Sequence, residues 1–183
     1  MRTLFSFMAI SADGFHAAAD RGLGWQTFGQ EFADHSVEQL DEIDTLVLGR
    51  TTFDELAAYW TSDLGTDFDR RIADRMNSVA KIVVSTRPDP VDWPGSSVRL
   101  ASIEELGDVK GAAGKDIAVF GSSTLTGALL RAGLVDELRL MVNPILLGDG
   151  LRVFPTAGTV PMTLTRVRPF AAGNVLLHYR PGT

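Results

Sequence analysis

An apolar run that stops at a glycine and passes at once into a helical pattern permits few architectures, and residues 44–53 are such a run. Asp44-Thr45-Leu46-Val47-Leu48 is short and strand-like, and Gly49-Arg50-Thr51-Thr52-Phe53 opens a helix with a bare glycine, a cation and two hydroxyls. A strand that feeds a helix must return through a crossover, so the pattern predicts parallel strands with helices packed on them. The first N–H groups of a helix have no intrahelical partner and carry the positive end of its dipole. The same junction is therefore a natural seat for a phosphate.

The rest of the chain repeats the alternation. Residues 3–10 read as a strand ending at the Asp13-Gly14 turn, and residues 17–24, small and polar, as a mobile loop. Phe32, Val37, Leu40 and Ile43 recur at helical spacing within 30–43. Helices are expected over 52–59 and 68–76, a strand over 79–85, and a loop marked by Pro88, Pro90 and Pro94. An extended piece follows at 97–100, and a brief helix with a Ser cap over 102–106. Residues 116–120 form a strand that runs into Gly121-Ser122-Ser123-Thr124 and a helix through Arg131, with Gly133 just past its end. After an extended stretch at 135–147, closed by Gly148-Asp149-Gly150, residues 162–167 and 174–180 flank Ala172-Gly173-Asn174 as a terminal hairpin. The expectation is one α/β domain over 1–183, with a mixed, mostly parallel sheet and antiparallel strands at one side.

Composition narrows the function. The chain has 183 residues, a formal charge of −6 and no cysteine. Disulfides and Cys-based metal centres are excluded, and absence of Cys suits a cytoplasmic setting. An acidic chain without a basic run is a poor ligand for nucleic acid or an anionic membrane, and no apolar stretch is long enough to span a bilayer. His16, His35 and His178 lack metal-ligand spacing and read as surface or loop residues, so no metal is expected. There is no Gly-x-Gly-x-x-Gly after a strand, no Walker lysine and no Gly-x-Ser-x-Gly elbow.

Three strand ends share one chemistry: Gly49-Arg50-Thr51-Thr52, Ser85-Thr86-Arg87, and Gly121-Ser122-Ser123-Thr124 after Phe120. Each offers hydroxyls and backbone N–H groups, and two add arginine, whose planar fork pairs with phosphate oxygens. A Thr or Ser at a helix start is usually only a cap. Three such sites at successive strand ends tilt the reading to nucleotide binding, because ligands of open α/β sheets sit beyond the carboxyl ends of the strands. Asp34, Glu38 and Asp41 fall along one helix face, by default a solvated one. Glu31 or Asp34, near the helix start, is the candidate to meet a substrate as anchor or proton relay.

These motifs, with Ser11-Ala12-Asp13-Gly14-Phe15, Val119-Phe120-Gly121-Ser122 and the run from Ala132 to Gly150, resemble the dihydrofolate reductase-like superfamily. The closest resemblance is to the C-terminal reductase domain of the riboflavin-biosynthesis deaminase/reductase and its stand-alone relatives. The resemblance implies an eight-stranded sheet flanked by helices and an NADPH-dependent, cytoplasmic, homodimeric reductase of a small heterocyclic or carbonyl substrate. It further implies that Gly49, Arg50, Thr51 and Thr52 hold phosphates, and that Ser85, Thr86 and Arg87 meet the adenosine 2′-phosphate. Phe120, Gly121, Ser122, Ser123, Thr124 and Leu125 would line the pyrophosphate and nicotinamide ribose, with Ala9 beside the nicotinamide under the 13–24 loop. The family often has Gly-Gly, with a cis peptide, where this chain has Gly121-Ser122. The rival expectation is a non-catalytic nucleotide- or pterin-binding protein of the same fold.

Overall fold

The computed structural model describes residues 1–27, 29–64, 66–89, 92–95 and 97–182, and only the backbone of Phe68; Pro90 lies outside the described residues. In chain order the elements are β1 (Leu4–Ser11), β2 (Phe15–Ala17), α1 (Gln30–Glu42), β3 (Ile43–Gly49), α2 (Arg50–Trp60), α3 (Asp67–Ser78), β4 (Ala80–Val84) and β5 (Ser97–Leu100). They continue with α4 (Leu106–Gly111), β6 (Asp116–Phe120), α5 (Ser123–Arg131), β7 (Glu137–Asn143), β8 (Leu151–Arg152), β9 (Met162–Pro169) and β10 (Val175–Pro181). Eight strands form one sheet in the order β5-β4-β3-β6-β1-β7-β10-β9, and β2 pairs with β8 apart from it. The pairings from β5 to β7 are parallel, while β10 runs antiparallel to both β7 and β9.

The strands read as continuous apolar runs because both faces are covered. Successive side chains point to opposite sides, and the two buried clusters divide them accordingly. Phe5, Leu46, Leu48, Val83 and Ala118 pack under α1, α2 and α3 with Val37, Leu40, Phe53, Ile72 and Met76. Leu4, Val47, Ile117 and Val119 pack on the other side against Leu106 of α4 and Leu129 and Leu130 of α5. A third cluster, Met141, Phe170 and Leu176, reaches Phe32 of α1 and Ala9 of β1.

The expected brief helix at 102–106 is displaced. The Glu105 carboxylate accepts the N–H groups of Ala101 (2.9 Å) and Ser102 (3.1 Å), which folds that stretch into turns. The helix, α4, begins only at Leu106, which is fully buried. Residues 17–24 contain the last residue of β2 and then a set of turns, with Ala18 N donating to Gly22 O and Arg21 N to Ala18 O.

Two of the three histidines are not surface residues: His35 and His178 are each 6% exposed. The periodicity that singled out Phe32 and Val37 also turns the intervening His35 inward, against the Phe170 ring at 5.8 Å. His178 lies on β10, its Nδ1 2.9 Å from the Glu137 carboxylate. Burial, followed by the neighbouring Arg168 charge, holds the His35 imidazole down to about 4. The folded value lies below the unfolded one, so the protein loses stability as pH falls from about 6.5 toward 4. The expected loss between about pH 7 and pH 5 is about 2 kcal/mol. Urea denaturation across that range measures it, and His35→Gln should flatten the slope.

Candidate functional site

The strands β3 and β6 are neighbours, paired through Val47 and Val119, and each leads directly into a helix. The two helix N-termini therefore emerge side by side at the carboxyl pole of the sheet. Neither α2 nor α5 has a side chain capping its first N–H groups. Their crossings touch: Gly49 N donates to Ser122 Oγ at 2.9 Å. Gly121 has φ 61°, and a Cβ there would stand 3.2 Å from Thr52 Cγ2. Ser122 is also left-handed, at φ 52° and ψ 54°. No cis peptide occurs among the described residues, so the Gly121–Ser122 bond is trans. First-turn N–H groups, rather than side chains, are thus the donors that the two helix starts offer at this pole.

Ser123 differs from its neighbours. It is 5% exposed, and its Oγ accepts from Phe154 N at 2.7 Å. Its hydroxyl thus serves the packing of α5, while Thr51 and Thr124 are exposed and Thr52, Ser122 and Leu125 half-buried.

Beside this pair of helix starts lies a cluster of arginines. Arg50 Nε donates to both oxygens of Asp54 at 3.0 Å, and its NH1 donates to the Asp89 carbonyl at 3.1 Å. Arg87, just past β4, brings its NH2 to 3.8 Å from the same Asp54 carboxylate. Ser85 Oγ accepts from Arg87 N at 3.1 Å, and Ser85 O accepts from Arg99 NH1 at 2.8 Å. Arg99 was not singled out in the sequence. It is on β5, opposite Val83 of β4, a placement that only strand pairing reveals.

Further along the same pole of the sheet, β1 and β7 end together. Asp13 accepts from Ser11 Oγ (2.6 Å), Gly148 N (2.8 Å) and Leu147 N (3.1 Å). These donors, Ser11 first, hold its carboxyl down to about 2. Asn143, at the end of β7, is 1% exposed. Its Oδ1 accepts from Thr27 N at 3.0 Å and from Asn174 Nδ2 at 2.8 Å. Asn174 Nδ2 donates in turn to Thr27 O at 3.0 Å, so two asparagines grip the segment after the turns. Arg21 of that segment, left-handed at φ 68°, lies 3.7 Å from Glu55 of α2. Ala9 is half-buried beside Phe7 and Phe32.

The two acids of α1 have partners. Glu31 Oε2 accepts from Ala171 N in the β9–β10 turn at 2.6 Å. Asp34 accepts from Gln30 Nε2 at 3.1 Å and lies 3.5 Å from Arg71 of α3. The face expected to be solvated keeps its acids about half accessible and also pairs them with neighbours, Asp41 with Arg75 at 2.7 Å and Glu38 with Arg168 at 3.2 Å. No group of histidines and acids able to hold a metal is found among the described residues. Nor is any described helix long and apolar enough to cross a membrane.

An eight-stranded, mostly parallel sheet whose penultimate strand in the order is antiparallel defines the dihydrofolate reductase-like architecture. Within it, the chain belongs to the RibD C-terminal domain family, whose pattern matches residues 2–176. It is 26% identical over 179 residues to the uncharacterized protein YyaP of Bacillus subtilis, covering 97% of this chain and 94% of that one. Among solved structures it is similar to a putative riboflavin biosynthesis protein of Shewanella (TM-score 0.75, 19% identity, 99% of each chain). A deaminase/5-amino-6-(5-phosphoribosylamino)uracil reductase of Thermotoga maritima matches at TM-score 0.69 and 16% identity, over 99% of this chain and 57% of that one. A dihydrofolate reductase of Enterococcus faecalis solved with NADP(H) matches at TM-score 0.66 and 18% identity, over 99% and 97%.

Proposed function

We propose that this protein is an NADPH-dependent reductase of a small heterocyclic or carbonyl substrate. The observation that carries the reading is the pairing of two uncapped helix starts with an arginine cluster at one pole of the sheet. The residues fit a phosphorylated dinucleotide. The first-turn N–H groups of Arg50 to Thr52 and of Ser122 to Leu125 would hold the pyrophosphate, with Gly49 and Gly121, whose own N–H groups bond Ser122 Oγ and Phe7 O, shaping the close approach. Arg50, Ser85, Thr86 and Arg87, joined by Arg99, would hold the 2′-phosphate. Gly121, where a Cβ would press on Thr52, leaves room for a close backbone approach.

When bound, the nicotinamide supplies a hydride; the protein supplies position and field. Ala9, half-buried on β1, would offer the nicotinamide a small side chain. The 18–26 segment would cover it and exclude water. Of the two acids, Glu31 is in the first turn of α1, at the same pole as the cofactor seat. Asp34 lies one turn lower and is turned to α3. Glu31 is therefore assigned as the substrate anchor, releasing Ala171 N when it does so. Its engagement with Ala171 in this structure is the one observation that favours the rival reading, a nucleotide- or pterin-binding protein without catalysis.

The two readings separate on NADPH oxidation followed by absorbance against a panel of pterins, aminopyrimidines and small carbonyls; turnover of any one supports the reductase. Fluorescence titration tests the cofactor. NADPH is expected to bind at least about thirtyfold more tightly than NADH, the scale of one charge-assisted phosphate contact of about 2 kcal/mol. Equal affinities would remove the 2′-phosphate site from the proposal.

A further inference from the structure

Asp54 is placed where an arginine cluster built for an anion would place its ligand. Its carboxylate takes both hydrogen bonds of Arg50 Nε at 3.0 Å and stands 3.8 Å from Arg87 NH2. The two cations come from different elements, one at the start of α2 and one beyond β4. Helix stability accounts for the arrangement only weakly. A cation in the first turn opposes the helix dipole, and an Arg preceding an acid by four residues is the weaker orientation of such a pair. Asp54 is half exposed, so it can swing to solvent when another anion arrives.

Resting on the reading of this cluster as the 2′-phosphate seat, we infer that Asp54 is an internal counter-ion. It occupies that seat in the ligand-free protein and thereby sets the discrimination between phosphorylated and unphosphorylated dinucleotides. One carboxylate offsets part of the charge of Arg50 and Arg87, with Arg99 on the neighbouring strand, and so lowers the repulsion among them in the free protein. A dianionic phosphate displaces the carboxylate and takes over its donors. The carboxylate stays near the phosphate as a like charge, and this repulsion holds affinity down. Asp54 is a specificity residue and touches no reacting atom.

The test is calorimetric titration of wild type and Asp54→Asn with NADPH, NADH and 2′-AMP. In Asp54→Asn, NADPH and 2′-AMP should bind about fivefold more tightly and with a steeper salt dependence, while NADH stays within about twofold. Asp54→Glu, which keeps the charge, should retain the wild-type ratio. The ligand-free Asp54→Asn protein should melt slightly below wild type, because the carboxylate that pairs with Arg50 and approaches Arg87 is gone. If wild type prefers NADPH but Asp54→Asn binds 2′-AMP no better, Asp54 only holds the arginines in place and the inference is overturned with the reductase reading intact. If wild type binds NADPH and NADH equally, the reading of the seat falls and the inference falls with it.

Discussion

Arg50→Ala should weaken NADPH binding by about thirtyfold while changing NADH binding by no more than about threefold, since a charge-assisted contact is worth about 2 kcal/mol. Arg50 is the least exposed member of the cluster, with 17% of its side chain accessible against 56% for Arg87. Partial burial strengthens its pull on an anion relative to a cation in open solvent. Lysine at this position keeps the charge but loses the fork, so Arg50→Lys should recover only part of the affinity. A titration of each variant against both dinucleotides decides the matter. An unchanged NADPH affinity in Arg50→Ala would remove the phosphate seat altogether.

The second large effect concerns stability. Arg139 on β7 is 8% exposed and carries a full charge beneath α1. Its guanidinium donates to Glu42 at 2.9 Å and Gln39 at 3.3 Å, pairs with Glu137, and lies 3.7 Å from the Phe5 ring centre. Arg139→Ala should cost about 3 kcal/mol in urea denaturation, because it strands Glu137 and opens space beside Phe5. The His178 hydrogen bond and then Arg139 hold the Glu137 carboxyl down to about 2. Its folded value is depressed, so it stabilises the protein above the unfolded carboxylate range and loses that contribution as pH falls through about 2. Without Arg139 the acid transition should move to higher pH. Pairing Arg139→Met with Glu137→Gln should recover much of the loss, since the uncompensated charge goes with it.

The elements that local chemistry determines were legible in the sequence. The run expected at 116–120 is β6 (Asp116–Phe120), and 45–48 is the centre of β3 (Ile43–Gly49). Both are short apolar stretches closed by a glycine, and both are buried on two faces. Gly133, placed just past α5, has φ 67° as that position requires. The hairpin around Gly173 followed from its turn residues and from strand alternation on either side. What escaped depends on partners far away in the chain. Glu105 moved a helix start by folding back on Ala101 and Ser102. His35 and His178 became core residues because Phe170 and Glu137 approach them from other elements. The same holds at the site. Gly49 and Ser122 were each marked by type, but their hydrogen bond spans 73 residues of chain. Arg99 enters only through its strand pairing, and Asp54 only because Arg87 converges on it from beyond β4.

The grip of Asn143 and Asn174 on Thr27 has a mechanical consequence. At its other end, the same segment leaves β2, where Ala17 pairs with Leu151 and Gly150 lies close under the Ala17 carbonyl. Residues 18–26 are thus a strap fastened at two points rather than a flap hung from one. A strap can arch or flatten, but it cannot swing aside, and its amplitude is limited by its own contour. Lengthening the strap, rather than loosening a hinge, is the change that would raise the arch.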